Sequence, residues 1–195
     1  MTWAATLGRH DPARWTRALA YRDRAELPYD GAAYPADAPL MLDTTVYVDA
    51  QKTARLPGAL VAALAAAPLL HSAVALSELA AGLGLLDPAH PGTPGARAAI
   101  EAVLARIAPE RIVEPSAGAW IEAALVGGIL ARTQGLPKVE RRKLLNDALM
   151  FMSAGEAGAV LVSRNRADFD LLLRFRPEIR LWLYDNPQTL PVASP

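Results

Sequence analysis

The sequence predicts an α/β fold with a central parallel sheet of about five strands, and two observations lead to that class. From residue 40 onward, short apolar runs alternate with longer segments of helical character, which is typical of βαβ units. The short runs are continuously apolar, as expected for strands that helices cover on both faces. Crossovers between such parallel strands are right-handed in nearly all known folds.

The composition suits one globular domain and limits the kinds of site it can carry. Hydrophobic residues make up 52% of the 195-residue chain and charged residues 21%, as in ordinary folded proteins. Twenty basic and twenty acidic residues cancel, so a nucleic-acid partner would need a local patch of charge. With no Cys and three scattered His, the chain cannot form disulfides or a zinc centre, and any metal must be a hard ion held by carboxylates.

The amino-terminal sequence lacks the continuous apolar run of a secretory signal, so we expect none, and the longest apolar stretch is too short and too rich in Ala to span a bilayer. We therefore expect a cytoplasmic protein without a membrane partner. Residues 1–39 contain two Trp, five Arg and a loop-like run with no clear strand. We interpret them as a helical or irregular extension wrapped on a domain that spans residues 40–195.

The first half of this domain predicts two strands and their helices. "PLMLDTT" is a short apolar strand that ends in polar residues, and a helix or helix pair follows it with a break near Pro57-Gly58. "LLHSAVA" predicts the second strand and "LSELAAGLGLL" the next helix. The Pro- and Gly-rich "DPAHPGTPG" is a loop. "ARAAIEAVLARI" is helical, because its branched apolar residues recur at helical spacing on one face.

The second half repeats the alternation. "RIVEPS" predicts a third strand, and a helix follows for which Ser116 is a plausible N-cap and Gly135 a stop. "PKVERRKLLNDALMFMSAGEAG" begins with Pro in the first turn and closes on Gly158. "AVLVS", "DFDLLLRF" and "IRLWLY" predict the fourth strand, a short helix and the fifth strand.

Four acidic residues are candidates for one site, because ligands of open parallel sheets bind beyond the carboxyl ends of the strands. Asp43 closes the first strand, Asp168 follows the fourth, and Glu78 lies in the first turns of the helix after the second. Asp147 differs, since it lies within the helix before the fourth strand, near its start if that helix begins around Leu144. Each acid alone could be a cap or a surface residue. All four, however, lie in apolar segments where a lone charge is costly.

If the four carboxylates converge, they require compensation. Two like charges at ~4 Å repel by roughly 4 kcal/mol at an effective dielectric of 20, so a cation binds or some carboxyls stay protonated. Without thiol or imidazole ligands, the cation would be Mg²⁺ or Mn²⁺, which can activate water in phosphodiester cleavage. This interpretation requires that Arg and Lys do not already neutralise the acids. Asp49, Glu156 and Asp170 are left out, and Asp49 is expected to face solvent.

These residues lie in motifs that resemble the PIN-domain family, and within it the VapC-type toxins of bacterial toxin–antitoxin pairs. The motifs are "LMLDTTVYVDA", "SAVALSELAAGL", "NDALMFMSAGEAGAVLVSRNRADFDLL" and "IRLWLY". The resemblance implies a three-layer α/β/α sandwich and a Mg²⁺- or Mn²⁺-dependent ribonuclease. It maps the family's acidic quartet onto Asp43, Glu78, Asp147 and Asp168, and two supporting polar positions onto Ser163 and Asn165. Ala75 replaces a common Ser or Thr, the loop at residues 87–95 is long, and residues 1–39 have no counterpart in a minimal toxin of this type.

An RNA substrate would need basic groups beside the acids. Arg164 and Arg166 lie within the turn from Ser163 to Asp168, and "KVERRK" precedes Asp147. Such groups would contact phosphates without reading sequence. Tyr47 and Trp120 are candidates to stack on a base, although Trp120 is expected to belong to the core.

The resemblance also implies a homodimer and a cognate antitoxin whose tail blocks the acidic groove. Three alternatives stay open at this point. A nuclease of RNA processing would share the same chemistry, and a non-catalytic α/β module would bind RNA or protein only. A phosphatase of the haloacid-dehalogenase type is disfavoured, because its second acid would stand where this chain has Thr45.

Overall fold

The computed structural model describes residues 3–29, 31, 38–51 and 56–187 and contains a five-stranded parallel sheet with helices around it. The five strands are β1 (Leu40–Leu42), β2 (Leu69–Ser72), β3 (Ile112–Val113), β4 (Val160–Ser163) and β5 (Leu181–Leu183). Eight helices lie in the described part: α1 (Trp3–Arg9), α2 (Thr44–Ala50), α3 (Gly58–Ala66), α4 (Ala73–Gly84), α5 (Thr93–Leu104), α6 (Ala117–Thr133), α7 (Lys138–Glu156) and α8 (Arg166–Leu173).

The sheet reverses its direction of growth between β1 and β4. The strand order is β3-β2-β1-β4-β5, so the chain first adds β2 and β3 on one side of β1 and then returns to add β4 and β5 on the other. Leu40 pairs with Val160 and Leu42 with Val162, in parallel register. A crevice at such a switch point is the usual ligand site of open parallel sheets.

The central strands are buried along their whole length. Every residue of β1, β4 and β5 is buried, which confirms the expectation drawn from their continuous apolar runs. The middle of α7 packs into the same core, where Met150, Phe151 and Met152 are almost fully buried. The predicted parallel α/β sheet of about five strands is therefore confirmed.

Local signals place the helix ends as expected, with one exception. Ser116 caps α6, because its hydroxyl accepts a hydrogen bond from the Ala119 amide, and Gly158 ends α7 in the left-handed conformation at φ +63°. The exception is the start near Leu144 that was considered for α7, because this helix begins at Lys138, directly after Pro137, as its Pro signal predicts. Asp147 is therefore in the middle of a 19-residue helix, and the expectation that it lies near the helix start is wrong.

The described part of residues 1–39 packs against the domain through buried carboxylates. His10 lies 2.6 Å from Glu122 of α6. The Arg22 amide and guanidinium both donate to Asp170 of α8, at 2.7 and 2.5 Å. Trp15 stacks on Phe175 with ring centroids 4.0 Å apart. These contacts agree with an extension wrapped on the domain, while the boundary at residue 39 stays a prediction because residues 32–37 lie outside the described part.

Within the part of the chain that the structure describes, no helix is both long enough and apolar enough to cross a bilayer.

We expect Asp170→Ala to lower the free energy of unfolding by about 3 kcal/mol or more, since it leaves the part-buried Arg22 without its partner. Urea denaturation followed by circular dichroism measures the change. Glu101→Ala is the matched control, because Glu101 forms an exposed pair with Arg97 and such pairs contribute about 0.5 kcal/mol or less. Equal losses in the two variants would contradict an anchored amino-terminal segment.

Candidate functional site

Asp43 lies at the switch point and is fixed by hydroxyl groups. It follows β1 directly, its amide donates to the Val162 carbonyl at 3.0 Å, and its side chain is only 3% exposed. Ser163, the last residue of β4, donates to Asp43 Oδ2 at 2.6 Å, and Thr45 donates to the same oxygen at 2.7 Å. The pairing of β1 with β4 therefore places an acidic side chain and a hydroxyl donor that are 120 residues apart in contact.

Asn165 joins the two other aspartates of the predicted quartet. Its side-chain amide donates to Asp147 Oδ2 at 3.0 Å and to Asp168 Oδ2 at 2.8 Å. Lys143 also donates to Asp168 Oδ2, at 3.1 Å. The turn that follows β4 and contains Asn165 thus holds a carboxylate from α7 and one from α8 near Asp43.

Glu78 also lines the pocket and has its own donors. Thr44 donates to Glu78 Oε2 at 2.5 Å, and Asn146 donates to Oε1 at 2.7 Å. Asp43, Glu78, Asp147 and Asn165 line one open pocket of about 340 Å³ together with Lys143 and Arg164. Asp168 is outside that lining and is linked to it through Asn165. The structure therefore brings all four predicted acids to one edge of the sheet, and their catalytic role stays a prediction.

Burial gives the three aspartates different protonation behaviour. Burial raises the pKa of Asp43, against the hydrogen bonds from Ser163 and Thr45 that lower it. Burial, followed by the negative charges of Asp43 and Asp168, raises the pKa of Asp147 to about 9. Burial also acts to raise the pKa of Asp168, but hydrogen bonds from Asn165, Asp147 and Lys143 outweigh it and lower the pKa. The raised pKa of Asp147 therefore favours its protonated form when no cation is bound.

The acids are close but are not arranged as a ready metal site. Among the described residues, no three His, Asp or Glu side chains are placed so that they could hold a metal ion together. A metal site requires that Arg and Lys do not already neutralise the acids. The ion pair between Lys143 and Asp168 is the contact that comes nearest to such neutralisation. Lys143 is 65% exposed, however, so water weakens that ion pair and leaves it easy to separate. In the described part, no Arg or Lys donates a hydrogen bond to Asp43 or Asp147.

Three supporting side chains and one acid were missed from the sequence. Thr44 and Thr45 were not assigned, although the "DTT" run places two hydroxyls directly after Asp43. Asn146 adjoins Asp147 and was also missed. The expectation that Asp49 faces solvent is wrong, because Asp49 is fully buried and accepts hydrogen bonds from Arg164 and Tyr184.

The remaining predicted contacts divide between the pocket and other surfaces. Arg164 lines the pocket, whereas Arg166 donates to the Arg22 carbonyl at 2.9 Å. Tyr47 is buried and its hydroxyl lies 2.6 Å from Nδ1 of His71, so its ring is not available to stack on a base. Trp120 is 49% exposed, and the expectation that it belongs to the core is wrong.

Comparison with solved structures finds this fold at low sequence identity. DNA-bound VapBC from Salmonella typhimurium is 23% identical at a TM-score of 0.51, and the match covers 74% of this chain and 96% of that chain. FitAcB from Neisseria gonorrhoeae is 18% identical at 0.50, covering 77% and 99%. VapBC-1 from nontypeable Haemophilus influenzae is 18% identical at 0.50, covering 73% and 96%. No family model and no curated protein matches the sequence.

At these identities the likeness establishes the fold alone. It confirms the three-layer α/β/α sandwich that the sequence motifs implied. The matches span nearly the whole of each solved chain and leave about a quarter of this chain uncovered, so this protein carries additional residues around the shared fold.

We expect Asp147→Asn to stabilise the metal-free protein at alkaline pH. The pKa of Asp147 is raised, so holding this carboxyl in the fold costs nothing below its unfolded pKa, near 4, and the cost grows as pH rises toward about 9. At pH 8 in EDTA, the free energy of unfolding of the variant should therefore exceed that of wild type by roughly 1–3 kcal/mol. This difference should shrink toward pH 4.

Asp168→Asn is the matched control with the opposite sign. The pKa of Asp168 is lowered, so its stabilisation is present above its unfolded pKa and is lost as pH falls through its folded value. This variant should be less stable than wild type at pH 8. A destabilised Asp147→Asn under the same conditions would contradict the charge arrangement described above.

Proposed function

We propose that this chain is a Mg²⁺- or Mn²⁺-dependent endoribonuclease that cleaves single-stranded RNA and acts as the toxin of a toxin–antitoxin pair. One observation carries the proposal. Asp43 and Asp147 are both buried and line one pocket at the switch point of the sheet, and among the described residues neither accepts a hydrogen bond from Arg or Lys. Elsewhere in the described part, the buried acids Glu122 and Asp170 both bind Arg.

The side chains present suit a hard divalent cation. Carboxylate oxygens are the ligands that Mg²⁺ and Mn²⁺ prefer, and a proton on Asp147 is what a buried acid retains when no cation balances its neighbours. Asp43, Asp147 and Asp168 would be the main ligands, and Glu78 would assist from the α4 side. Binding would require Asp168 to leave Lys143 and the carboxylates to draw closer, since no three acids of the described part are placed to hold an ion as they stand. Such an ion supplies an activated water and stabilises the leaving oxygen in phosphodiester hydrolysis.

The other polar side chains hold these acids in place. Ser163 and Thr45 both donate to Oδ2 of Asp43 and hold this carboxylate at the end of β1. Asn165 spans Asp147 and Asp168, and Thr44 with Asn146 orients Glu78. Hydrogen-bonded support of this kind typically contributes 10- to 100-fold in metal affinity or activity.

The RNA strand would follow the basic side of the pocket. Lys143 and Arg164 line the pocket rim, and the exposed Arg141 and Arg142 precede Lys143 on α7. These residues would contact phosphates. A single strand is the proposed substrate because its flexible backbone can bend into an open pocket of this size.

The toxin assignment and its partners rest on two lines of support. The sequence motifs resemble VapC-type toxins, and solved structures with the same fold are named VapBC and FitAcB. We therefore propose a cognate antitoxin and a homodimer as partners and the cytoplasm as the location. A role in RNA processing would use the same chemistry, and an adjacent small gene for a DNA-binding antitoxin would favour the toxin.

The binding module without catalysis remains the second candidate because of Lys143. Its ion pair with Asp168 supplies one positive charge to the acidic group without any metal. The phosphatase alternative stays disfavoured, because Thr45 stands at the position of its second acid. Thr45 donates a hydrogen bond to Asp43 and has no carboxyl to act as general acid.

Asp43→Asn should lower the rate of Mn²⁺-supported RNA cleavage by about 100-fold or more, because it removes a ligand charge while keeping the shape of the side chain. Cleavage of a fluorescent single-stranded RNA measures the rate. Thermal denaturation with and without Mn²⁺ provides a readout independent of activity, in which wild type should gain stability with Mn²⁺ and the variant should not.

Glu101→Gln, which changes an exposed carboxylate on α5, should retain wild-type cleavage. If Asp43→Asn still cuts RNA at the wild-type rate, the nuclease assignment is wrong. Binding of RNA by wild type without any cleavage would support the binding module instead.

Lys143→Gln should lower the Mn²⁺ concentration that gives half-maximal thermal stabilisation, by a few fold, since Asp168 no longer has to exchange an ammonium group for the ion. Lys138→Gln, at the exposed start of the same helix, should leave that concentration unchanged. A higher Mn²⁺ requirement for Lys143→Gln would contradict competition between Lys143 and the metal.

A further inference from the structure

Arg164 is held by a buried carboxylate that lies outside the predicted quartet. Its Nε donates to Asp49 Oδ2 at 2.8 Å, and the Tyr184 hydroxyl donates to the same oxygen at 3.0 Å. Asp49 is fully buried on α2, whereas the Arg164 side chain is 40% exposed. One end of the guanidinium is therefore fixed inside the protein while the rest reaches solvent.

Burial makes this attachment strong. A carboxylate removed from water is tolerated only when it is paired and hydrogen-bonded, and Arg164 and Tyr184 both donate to Oδ2 of Asp49. The pKa of Tyr184 is raised, first by burial and then by the negative charge of Asp49, so its hydroxyl keeps the proton that it donates. Separating Arg164 from Asp49 would remove the cation that balances the buried Asp49 carboxylate.

Backbone contacts tie Arg164 to the carboxylate pocket itself. The Arg164 amide donates to Thr45 Oγ1 at 3.2 Å, and Thr45 in turn donates to Asp43. The preceding residue, Ser163, donates to the same Asp43 oxygen. The distance between the Arg164 guanidinium and Asp43 is therefore set by short contacts at both ends of the side chain.

The outer part of the guanidinium is available to a ligand. Arg164 lines the same pocket as Asp43 and Asp147, and within the described residues its two terminal nitrogens donate no hydrogen bond. Two parallel N–H groups match the oxygens of a phosphate. An Arg whose Nε is already fixed loses less conformational entropy when those groups bind.

We infer that Asp49 and Tyr184 are positioning residues that hold Arg164 ready to bind a phosphate of single-stranded RNA at the edge of the carboxylate pocket. This inference rests on the proposed function, since it names the group that receives the RNA backbone. It separates Arg164 from Arg166, whose guanidinium binds the amino-terminal segment instead.

A purely electrostatic role for Asp49 predicts the opposite effect on RNA binding. Removing a negative charge beside the pocket should tighten the binding of a polyanion. Removing a positioning residue should weaken it, because Arg164 is then free to leave the phosphate. The sign of the change on Asp49→Asn therefore distinguishes the two roles.

The test is equilibrium binding of a fluorescent single-stranded RNA by fluorescence anisotropy in EDTA, where cleavage does not interfere. Arg164→Gln should weaken binding about tenfold and reduce the slope of log affinity against log salt by about 0.7, as expected for one lost phosphate contact on a single strand. Asp49→Asn should weaken binding about three- to tenfold. In the Arg164→Gln background it should have no further effect.

Asp170→Asn is the matched control, because Asp170 is also a fully buried carboxylate paired with an Arg. It should leave RNA affinity unchanged although it destabilises the fold. If Asp49→Asn does not fold, Tyr184→Phe replaces it and should weaken binding by about twofold, again only when Arg164 is present.

Tighter or unchanged binding by Asp49→Asn, an equal effect in the Arg164→Gln background, or an equal loss in Asp170→Asn would overturn the inference. So would the absence of RNA binding by wild type. Cleavage with Mn²⁺ is measured separately on the same proteins. If RNA binding depends on Arg164 but no cleavage occurs, the nuclease is refuted and the positioning role stands. If cleavage occurs but the substitutions leave RNA binding unchanged, the nuclease stands and the positioning role is refuted.

Discussion

The parallel pairing of β1 with β4 is the contact on which the site depends. It joins residues 40–42 to residues 160–162. The next residue along the chain is Asp43 after β1 and Ser163 at the end of β4. Because both strands end at the same edge, the acid and its hydroxyl donor meet without any contribution from the loops. The helices that follow these strands, α2 and α8, then carry Asp49 and Asp168 to the same edge.

The buried acids of this protein fall into two groups that differ in their counterions. Glu122, Asp170 and Asp49 each bind an Arg, so their charges are balanced inside the described fold. Asp43 and Asp147 are equally buried but rely on hydroxyl and amide donors and, for Asp147, on a retained proton. The proposed cation site rests on this contrast more than on the number of acids in the pocket.

Arg164 and Lys143 show how the same pocket treats two cations differently. Arg164 is tied to Asp49 through a part-buried ion pair and donates no hydrogen bond to Asp43 or Asp147, whereas Lys143 reaches Asp168 across an exposed surface. A fixed cation at the rim leaves the centre negative, and a mobile one can exchange with solvent or a ligand. The amino-terminal segment contains a similar fixed pair, because Arg22 donates to the buried carboxylate of Asp170.

The sequence by itself determined the sheet, the order of its elements and the identity of the acids at its edge, because apolar runs, Gly and Ser end signals and strand-end acids are local features. Ser163 and Asn165 were assigned through the resemblance of their sequence motif to a known family. Only the tertiary structure decided that Asp49 is buried, that Asp147 lies in the middle of its helix, that Trp120 is exposed and that Thr44, Thr45 and Asn146 orient the acids. Burial and protonation depend on distances between residues far apart in the chain, and no local pattern encodes those distances.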